Sequence, residues 1–289
     1  MGRNAATQVA ECATCILHAW RKSPRIGVIL GTGLSQAADR LEIDCELPYE
    51  RVPHFPSSTA LSHEGRLVCG RVAGVPALVM AGRFHLYEGY EFDQVTLPIH
   101  VMHALGVEVL IVTNASGGLN PRFRGGDILI IADHLNFLFA VGRAEHAEPR
   151  MRPVCCDPNC NHSTPCRGRG YDDVLIDQAL HIARREGFAA HCGTYVAVAG
   201  PNYETRAEYR MFRRLGGDAV GMSTVPEVLT ATSLGMRVLG LSMITNVARP
   251  DAPEKVDPRD VVAWAARAEP NLWKIVQGIA AALPQAAPA

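Results

Sequence analysis

The chain has 289 residues, of which 48% are hydrophobic and 20% are charged, and its formal net charge at pH 7 is -1. This composition supplies a sizeable core and is not that of a disordered chain. The length suits one large α/β domain as well as two small ones. The near-neutral charge gives no reason to expect a nucleic acid or an anionic membrane as partner.

The sequence also lacks signals for membrane insertion, secretion or a disulfide framework. No run of eighteen apolar residues and no basic region followed by an apolar stretch occurs, so we expect neither a membrane span nor a secretory signal. The nine cysteines are an odd number, and Cys69 and Cys192 lie in apolar runs. We therefore expect reduced thiols and a cytoplasmic location instead of a disulfide framework.

Apolar runs alternate with helical patterns along the chain, which is typical of an α/β fold. A frayed tail is expected at 284–289. The predicted strands are 25–30, 67–72, 75–81, 109–113, 128–132, 195–199, 219–221 and 237–244, and the predicted helices are 5–20, 34–41, 95–105, 173–186, 206–215, 226–234 and 261–283, the last interrupted at Pro270.

A glycine loop, Gly31-Thr32-Gly33, follows the first strand and precedes a predicted helix. Glycine N–H groups can face an anion, and a helix N-terminus favours negative charge, so this arrangement can bind phosphate. The third glycine of a dinucleotide fingerprint is absent, since Gln36 occupies that position. A tight strand-to-helix turn with no ligand is an equally good interpretation.

The densest group of polar side chains is in residues 82–89. The guanidinium of Arg83 matches phosphate geometry. An extended backbone would place His85 and Tyr87 on the same face as Arg83, and Glu88 could hold a neighbouring histidine in one tautomer. A surface ion-pair cluster is the alternative interpretation.

Two further strands end in small or polar residues. The strand at 109–113 runs into Asn114-Ala115-Ser116-Gly117-Gly118, and the strand at 195–199 meets a Gly200-Pro201 turn. Proline lacks an N–H, so the chain leaves the sheet there, with Tyr203 and Glu204 at its edge. Ligand sites in open α/β sheets lie where strands end.

Seven such motifs between residues 25 and 247 resemble, in order and spacing, the trimeric purine nucleoside phosphorylase family. The resemblance implies one α/β domain over 1–289, with its core at 25–283 and a twisted mixed sheet, or distorted barrel, flanked by helices. It implies a homotrimer and the reversible phosphorolysis of purine (deoxy)ribonucleosides, such as inosine and guanosine. Inorganic phosphate is then a co-substrate, and no cofactor or metal is expected.

The resemblance also assigns roles to individual residues. Among the substrate-binding residues, we expect Glu204 and Asn246 to act on the base, and His85 to take part in catalysis together with them. The expected phosphate-binding residues are Thr32, His63, Arg83, His85, Ala115 through its backbone, and Ser223. The expected substrate-binding residues are Tyr87, Tyr203, Glu204, Val220, Met222 and Asn246.

Two stretches depart from the family pattern. Residues 140–172 are rich in cysteine and proline, and Cys155, Cys160, His162 and Cys166 could hold a structural zinc ion or remain free thiols. The family usually has a histidine near the sugar 5′ position. Here residues 257–261 read Asp-Pro-Arg-Asp-Val, which leaves open a different 5′ substituent.

Two alternative functions remain at this stage. A 5′-methylthioadenosine phosphorylase shares the fold and phosphate motifs, but that branch prefers Asp at the position of Asn246. Asn246 and Glu204 together favour 6-oxopurines. A non-catalytic nucleotide- or metal-binding protein is suggested by the glycine loop and the cysteines, although the incomplete fingerprint argues against its nucleotide-binding form.

Overall fold

The computed structural model describes residues 3–60, 63–138, 170–251 and 257–284. Within these ranges, no helix is long and apolar enough to cross a membrane. The described strands are β1 (Ile26–Leu30), β2 (Glu42–Pro48), β3 (Arg66–Val72), β4 (Val75–Ala81), β5 (Val109–Gly118), β6 (Ile128–Phe137), β7 (Ala190–Val198), β8 (Ala219–Gly221) and β9 (Arg237–Val247), and the described helices are α1 (Arg3–Ala19), α2 (Phe92–Ala104), α3 (Asp173–Glu186), α4 (Arg206–Arg214), α5 (Val225–Ser233) and α6 (Pro258–Ala282).

The strands of the described ranges form one mixed sheet in the order β2-β3-β4-β1-β5-β8-β7-β6-β9. Strand β9 also pairs with β5, so β5, β8, β7, β6 and β9 close into a ring, while β2, β3, β4 and β1 extend from it. The predicted α/β domain with a distorted barrel is therefore confirmed. Strand β1 is parallel to both β4 and β5, which places their carboxyl ends at one edge.

Local sequence signals fix the ends of the helices. Asp172 caps α3 by accepting a hydrogen bond of 3.0 Å from the Leu175 N–H, and Gly187 ends that helix in a left-handed conformation. Thr205 and Glu208 form a reciprocal capping box at the start of α4. This box matters for the site because it places Glu204 immediately before the helix.

The structure differs from the predicted secondary structure at four points that bear on the fold. Strand β2 was not predicted; it pairs with β3 alone, and its mostly exposed residues lack an apolar pattern. Residues Ser35–Arg40 form a short 3-10 helix instead of the helix predicted at 34–41, because the chain is already extended at Leu41. Helix α6 continues through Pro270, which is exposed, so water can satisfy the carbonyl group that the proline leaves unpaired.

The fourth correction concerns the length of the central strands. Strand β5 does not stop at Asn114 but continues to Gly118, and β9 continues to Val247. The two extensions pair with each other, with Gly117 opposite Asn246. Backbone pairing does not depend on side-chain polarity, and so the polar ends of both strands remain in the sheet. They form the floor of a cavity.

Candidate active site

A cavity of about 310 Å³ opens where β1, β4, β5, β7, β8 and β9 end. The structure brings eleven of the predicted site residues together on its wall. His63 lies just behind the wall, with its Nε2 atom 3.5 Å from the Thr32 hydroxyl. The residues on the wall are Thr32, Arg83, His85, Tyr87, Ala115, Tyr203, Glu204, Val220, Met222, Ser223 and Asn246.

Arg83 is almost entirely buried, with 2% of its surface exposed. Its Nη1 atom donates to Thr224 Oγ1 at 3.2 Å and to Glu227 Oε1 at 3.1 Å, and its Nη2 atom donates to the Thr113 carbonyl. The remaining Nε atom is buried and has no partner in the part of the chain that the structure describes. Buried donors are nearly always paired, so this N–H marks a position for an acceptor ligand.

His85 is held by a carboxylate. Its Nδ1 atom lies 2.8 Å from Glu88 Oε1, and its backbone N–H donates to the same oxygen at 2.9 Å. Burial lowers the pKa of His85, so the ring is neutral near pH 7. Because the carboxylate can only accept, the Nδ1 atom carries the proton and Nε2 is a hydrogen-bond acceptor. This agrees with the tautomer role predicted for Glu88.

Three rings are stacked beside Arg83. His63 stacks on His85 with centroids 5.2 Å apart, and His85 stacks on Tyr87 at 4.6 Å. Burial, and secondarily His85, lower the pKa of His63 to about 3. Residues Leu86–Glu88 form a 3-10 turn, so Tyr87 reaches the cavity by a turn and not by the extended backbone that was predicted.

The glycine loop contributes differently from the prediction. The Gly31 N–H donates to Thr113 Oγ1 at 3.2 Å, so this group is bonded within the protein. A Cβ atom at Gly31 would lie 2.8 Å from both the Asn114 Cα atom and the Thr113 carbonyl oxygen. Glycine is required here because β1 and β5 approach closely at the cavity floor. Thr32 supplies the side chain of this loop that lines the cavity.

The opposite end of the cavity holds a carboxylate. Burial raises the pKa of Glu204, and the Tyr209 hydroxyl, which hydrogen-bonds to that carboxylate, partly counteracts the increase. Tyr203 lies at the mouth with 49% of its surface exposed, so its ring face is available for stacking. Val220 and Met222 supply apolar contact on the wall between the two ends.

Asn246 lies at the same end, near the carboxyl end of β9. Its Oδ1 atom is 3.0 Å from the Thr245 hydroxyl, which also lies 3.1 Å from the Ser116 carbonyl oxygen. The Thr245 hydroxyl has a single proton that these two carbonyl oxygens share, so the Asn246 Oδ1 atom keeps at least one free lone pair. The Nδ2 group of the same amide is the donor that remains for a ligand.

Several residues of the site were missed by sequence reasoning. Tyr209 on α4 and Val261 on α6 line the cavity, and Glu227 is the buried counter-charge of Arg83. Glu227 lies at the start of the helix predicted at 226–234, but its partner could not be known without the fold. Tyr209 is four residues after Thr205, a spacing that puts it on the same side of α4 as the helix start.

The predicted zinc ligands Cys155, Cys160, His162 and Cys166 lie outside the described residues. Among the described residues, no group of three or more histidine, cysteine or acidic side chains could hold a metal ion. The cysteines that are described, Cys12, Cys15, Cys45, Cys69 and Cys192, form no disulfide with one another.

Comparison with known proteins agrees with this geometry. The family model of the Phosphorylase superfamily matches residues 25–281. Purine nucleoside phosphorylase 1 of Bacillus subtilis (strain 168) is 43% identical over 274 residues, which cover 95% of this chain and 98% of the relative.

Two crystal structures of the Schistosoma mansoni purine nucleoside phosphorylase are similar throughout. The complex with adenosine has a TM-score of 0.82 at 35% identity, and the complex with inosine has a TM-score of 0.84 at 34% identity. Each comparison covers 97% of this chain and 98% of the other. The fold, the cavity and these matches define a member of the phosphorylase superfamily. More narrowly, the chain belongs to the purine nucleoside phosphorylases.

Proposed function

We propose that the cavity binds inorganic phosphate beside Arg83 and a 6-oxopurine nucleoside, such as inosine or guanosine, between that anion and the pair Glu204 and Asn246. The observation that carries this proposal is the buried Arg83 side chain on the cavity wall, whose Nε atom has no hydrogen-bond partner among the described residues. A phosphate oxygen supplies the missing acceptor, and a guanidinium binds phosphate with both charge and directed N–H groups.

The phosphate subsite combines one full charge with neutral donors. Glu227 partly compensates the Arg83 charge, which allows a buried guanidinium to exist before the anion arrives. The Thr32 and Ser223 hydroxyls and the Ala115 backbone are the neutral donors around it. The His85 Nε2 atom can accept a hydrogen bond from the proton that hydrogenphosphate carries, which leaves an unprotonated phosphate oxygen to face the sugar.

The base subsite favours a 6-oxopurine because of the hydrogen-bonding groups that Asn246 and Glu204 present. The Asn246 Nδ2 group donates, which matches the O6 and N7 acceptors of hypoxanthine or guanine and does not match the exocyclic amine of adenine. The Glu204 carboxylate accepts from ring N–H and exocyclic amino groups. The selectivity between inosine and adenosine is thus a difference in affinity set by Asn246 and Glu204.

The proposed reaction exchanges one bond for another at C1′ of the sugar. The bond from C1′ to purine N9 breaks, and its electron pair leaves with the base, where Asn246 stabilises the charge that builds toward N7. A phosphate oxygen then bonds to C1′, which has gained oxocarbenium character and lies over the anion. The products are the free purine and pentose 1-phosphate. Tyr87 and Met222 hold the sugar between the two subsites.

A phosphate-dependence assay tests the proposal. The purified enzyme should convert inosine to hypoxanthine and ribose 1-phosphate, and omission of phosphate should abolish turnover. Release of free ribose without phosphate would contradict the proposed role of Arg83.

A matched pair of substitutions adds a control. Arg83→Lys keeps a positive charge beside Glu227 but removes the Nε group, so we expect the KM for phosphate to rise about tenfold or more. Arg66→Lys makes the same change at an arginine paired with Asp39, Glu46 and Glu64. Arg66 is outside the cavity wall, and its substitution should leave the KM for phosphate unchanged.

Two broader features belong to the same proposal. A homotrimer is supported by the family resemblance, and a cytoplasmic location by the lack of disulfides among the described cysteines. Light scattering on the purified protein should give three times the 31.2 kDa mass of the chain. A mass of one or two chains would contradict the trimer.

A further inference from the structure

A chain of buried hydroxyl and amide groups runs beneath the floor of the cavity. Ser116, Ser242, Asn114 and Thr224 each expose less than 5% of their surface. Ser116 Oγ lies 2.6 Å from Ser242 Oγ, Ser242 Oγ donates to Asn114 Oδ1 at 2.6 Å, and Asn114 Nδ2 donates to Thr224 Oγ1 at 2.8 Å. Thr224 Oγ1 lies 3.2 Å from Ser223 Oγ, which is on the cavity wall.

The direction of each hydrogen bond follows from the chemistry of the partners. Ser242 gives its proton to the Asn114 carbonyl, so Ser116 must donate to Ser242. Thr224 Oγ1 accepts from Asn114 and also from the Arg83 guanidinium, which can only donate. Both lone pairs of that hydroxyl are then occupied, and its proton points to Ser223 Oγ.

We propose that Thr224 is a positioning residue that turns the Ser223 hydroxyl proton toward the bound phosphate. Every donor in the chain from Ser116 to Ser223 points the same way, and the last proton can turn to a phosphate in the cavity or to the buried Tyr195 hydroxyl, with which Ser223 also interacts. The anion is the stronger acceptor of the two. Hydrogen bonds in such a series polarise one another, which makes the Ser223 hydroxyl a stronger donor to an anion. If the series ran backwards, the Ser223 proton would be held by Thr224, and Ser116, which also lines the cavity, would carry the outward-pointing proton instead.

The backbone at Thr224 supports a dedicated role. Its φ of 75° and ψ of -49°, with a hydrogen bond of 2.8 Å from the Val225 N–H to the Ser223 carbonyl, form a γ-turn. A β-branched residue with positive φ is unfavourable, and such conformations persist where the surroundings hold them in place. The turn aims the Thr224 side chain at Arg83 and Asn114 while Ser223 faces the cavity.

This inference rests on the proposed phosphate site, and the experiment separates the two. The wild-type enzyme is first assayed for phosphate-dependent turnover, whose absence would end the proposed function itself. Thr224→Val keeps the branched shape and the backbone preference but removes the hydroxyl. We expect the KM for phosphate to rise about tenfold while the KM for inosine changes less than about twofold. Thr224→Ser restores the hydroxyl and should recover most of the phosphate affinity.

A second variant tests a hydrogen bond of the series that lies away from the cavity. Ser242 does not line the cavity, and Ser242→Ala removes the donor that fixes the Asn114 amide. We expect the dissociation constant for inorganic phosphate, measured by calorimetry without nucleoside, to rise about three- to tenfold. Thr96→Val is the matched control, since it removes a buried hydroxyl that bonds to the Phe92 carbonyl of α2, and it should leave phosphate binding unchanged.

The outcomes are distinct even if one variant folds poorly. A rise in the phosphate constants of both Thr224→Val and Ser242→Ala, with recovery in Thr224→Ser, supports the relay. Equal effects on phosphate and inosine would make Thr224 a general structural residue and overturn the inference. Unchanged phosphate binding in a folded Ser242→Ala would overturn it as well.

Discussion

The side chains of the site differ in protonation because burial shifts the pKa of each one. Burial raises the pKa of Glu204 and lowers the pKa values of His63 and His85. The histidines are thereby neutral beside Arg83, which avoids a second positive charge, whereas the Glu204 carboxylate is easier to protonate than a solvated one. These directions follow from desolvation and need the folded structure, although the residue types were visible in the sequence.

The first prediction at this scale concerns the amide of Asn246. Asn246→Asp replaces a donor by a group that only accepts, so it should repel O6 of hypoxanthine and favour the adenine amine. We expect kcat/KM for inosine to fall about 10²-fold and the ratio of adenosine to inosine turnover to rise. Steady-state assays on both nucleosides measure this. An unchanged ratio of adenosine to inosine turnover would show that Asn246 does not discriminate between substituents at C6 of the purine.

The second prediction concerns pH. Since the pKa of Glu204 is raised above 4.5, its carboxylate is present at higher pH and is lost as pH falls through that raised value. At saturating phosphate, kcat/KM for inosine should therefore decline on the acid side with an apparent pKa above 4.5. Glu204→Gln should lower activity and remove this limb. Persistence of the same limb in the variant would assign it to another group.

At the scale of elements, the cavity depends on loops and strand ends that approach one another closely. The Gly31 turn rests against β5, the polar ends of β5 and β9 pair with each other, and the capping box of α4 holds Glu204 beside the pocket. The capping box and the glycine turn could be predicted from sequence. The continued pairing of Asn114–Gly118 could not, because those residue types favour loops.

A substitution at Gly31 tests the close approach. Gly31→Ala introduces a methyl group 2.8 Å from backbone atoms, which should lower stability by about 1–3 kcal/mol and displace the floor of the phosphate subsite. We expect a lower Tm and a higher KM for phosphate. Gly187→Ala is the control: it has positive φ but open space, so it should lower Tm modestly and leave the KM for phosphate unchanged. A Gly31→Ala enzyme with wild-type phosphate kinetics would contradict this account of the loop.

At the scale of the whole molecule, closure of five strands into a ring brings distant segments to one cavity. Arg83 and Glu227 are 144 positions apart, yet they form an ion pair of 3.1 Å between side chains that are 2% and 3% exposed. The motifs and their family resemblance were enough to predict that Arg83 and Asn246 share a site. The pairing of β5 with β9, and with it the relay beneath the floor, depends on register and could not be predicted from residue types.

The most direct test is a crystal structure of the enzyme with inorganic phosphate and hypoxanthine bound together. We predict one cavity in which a phosphate oxygen accepts from the Arg83 Nε and Ser223 hydroxyl groups, while hypoxanthine contacts Glu204 and the Asn246 amide. A phosphate bound away from Arg83, or a base and a phosphate in separate cavities, would contradict the account.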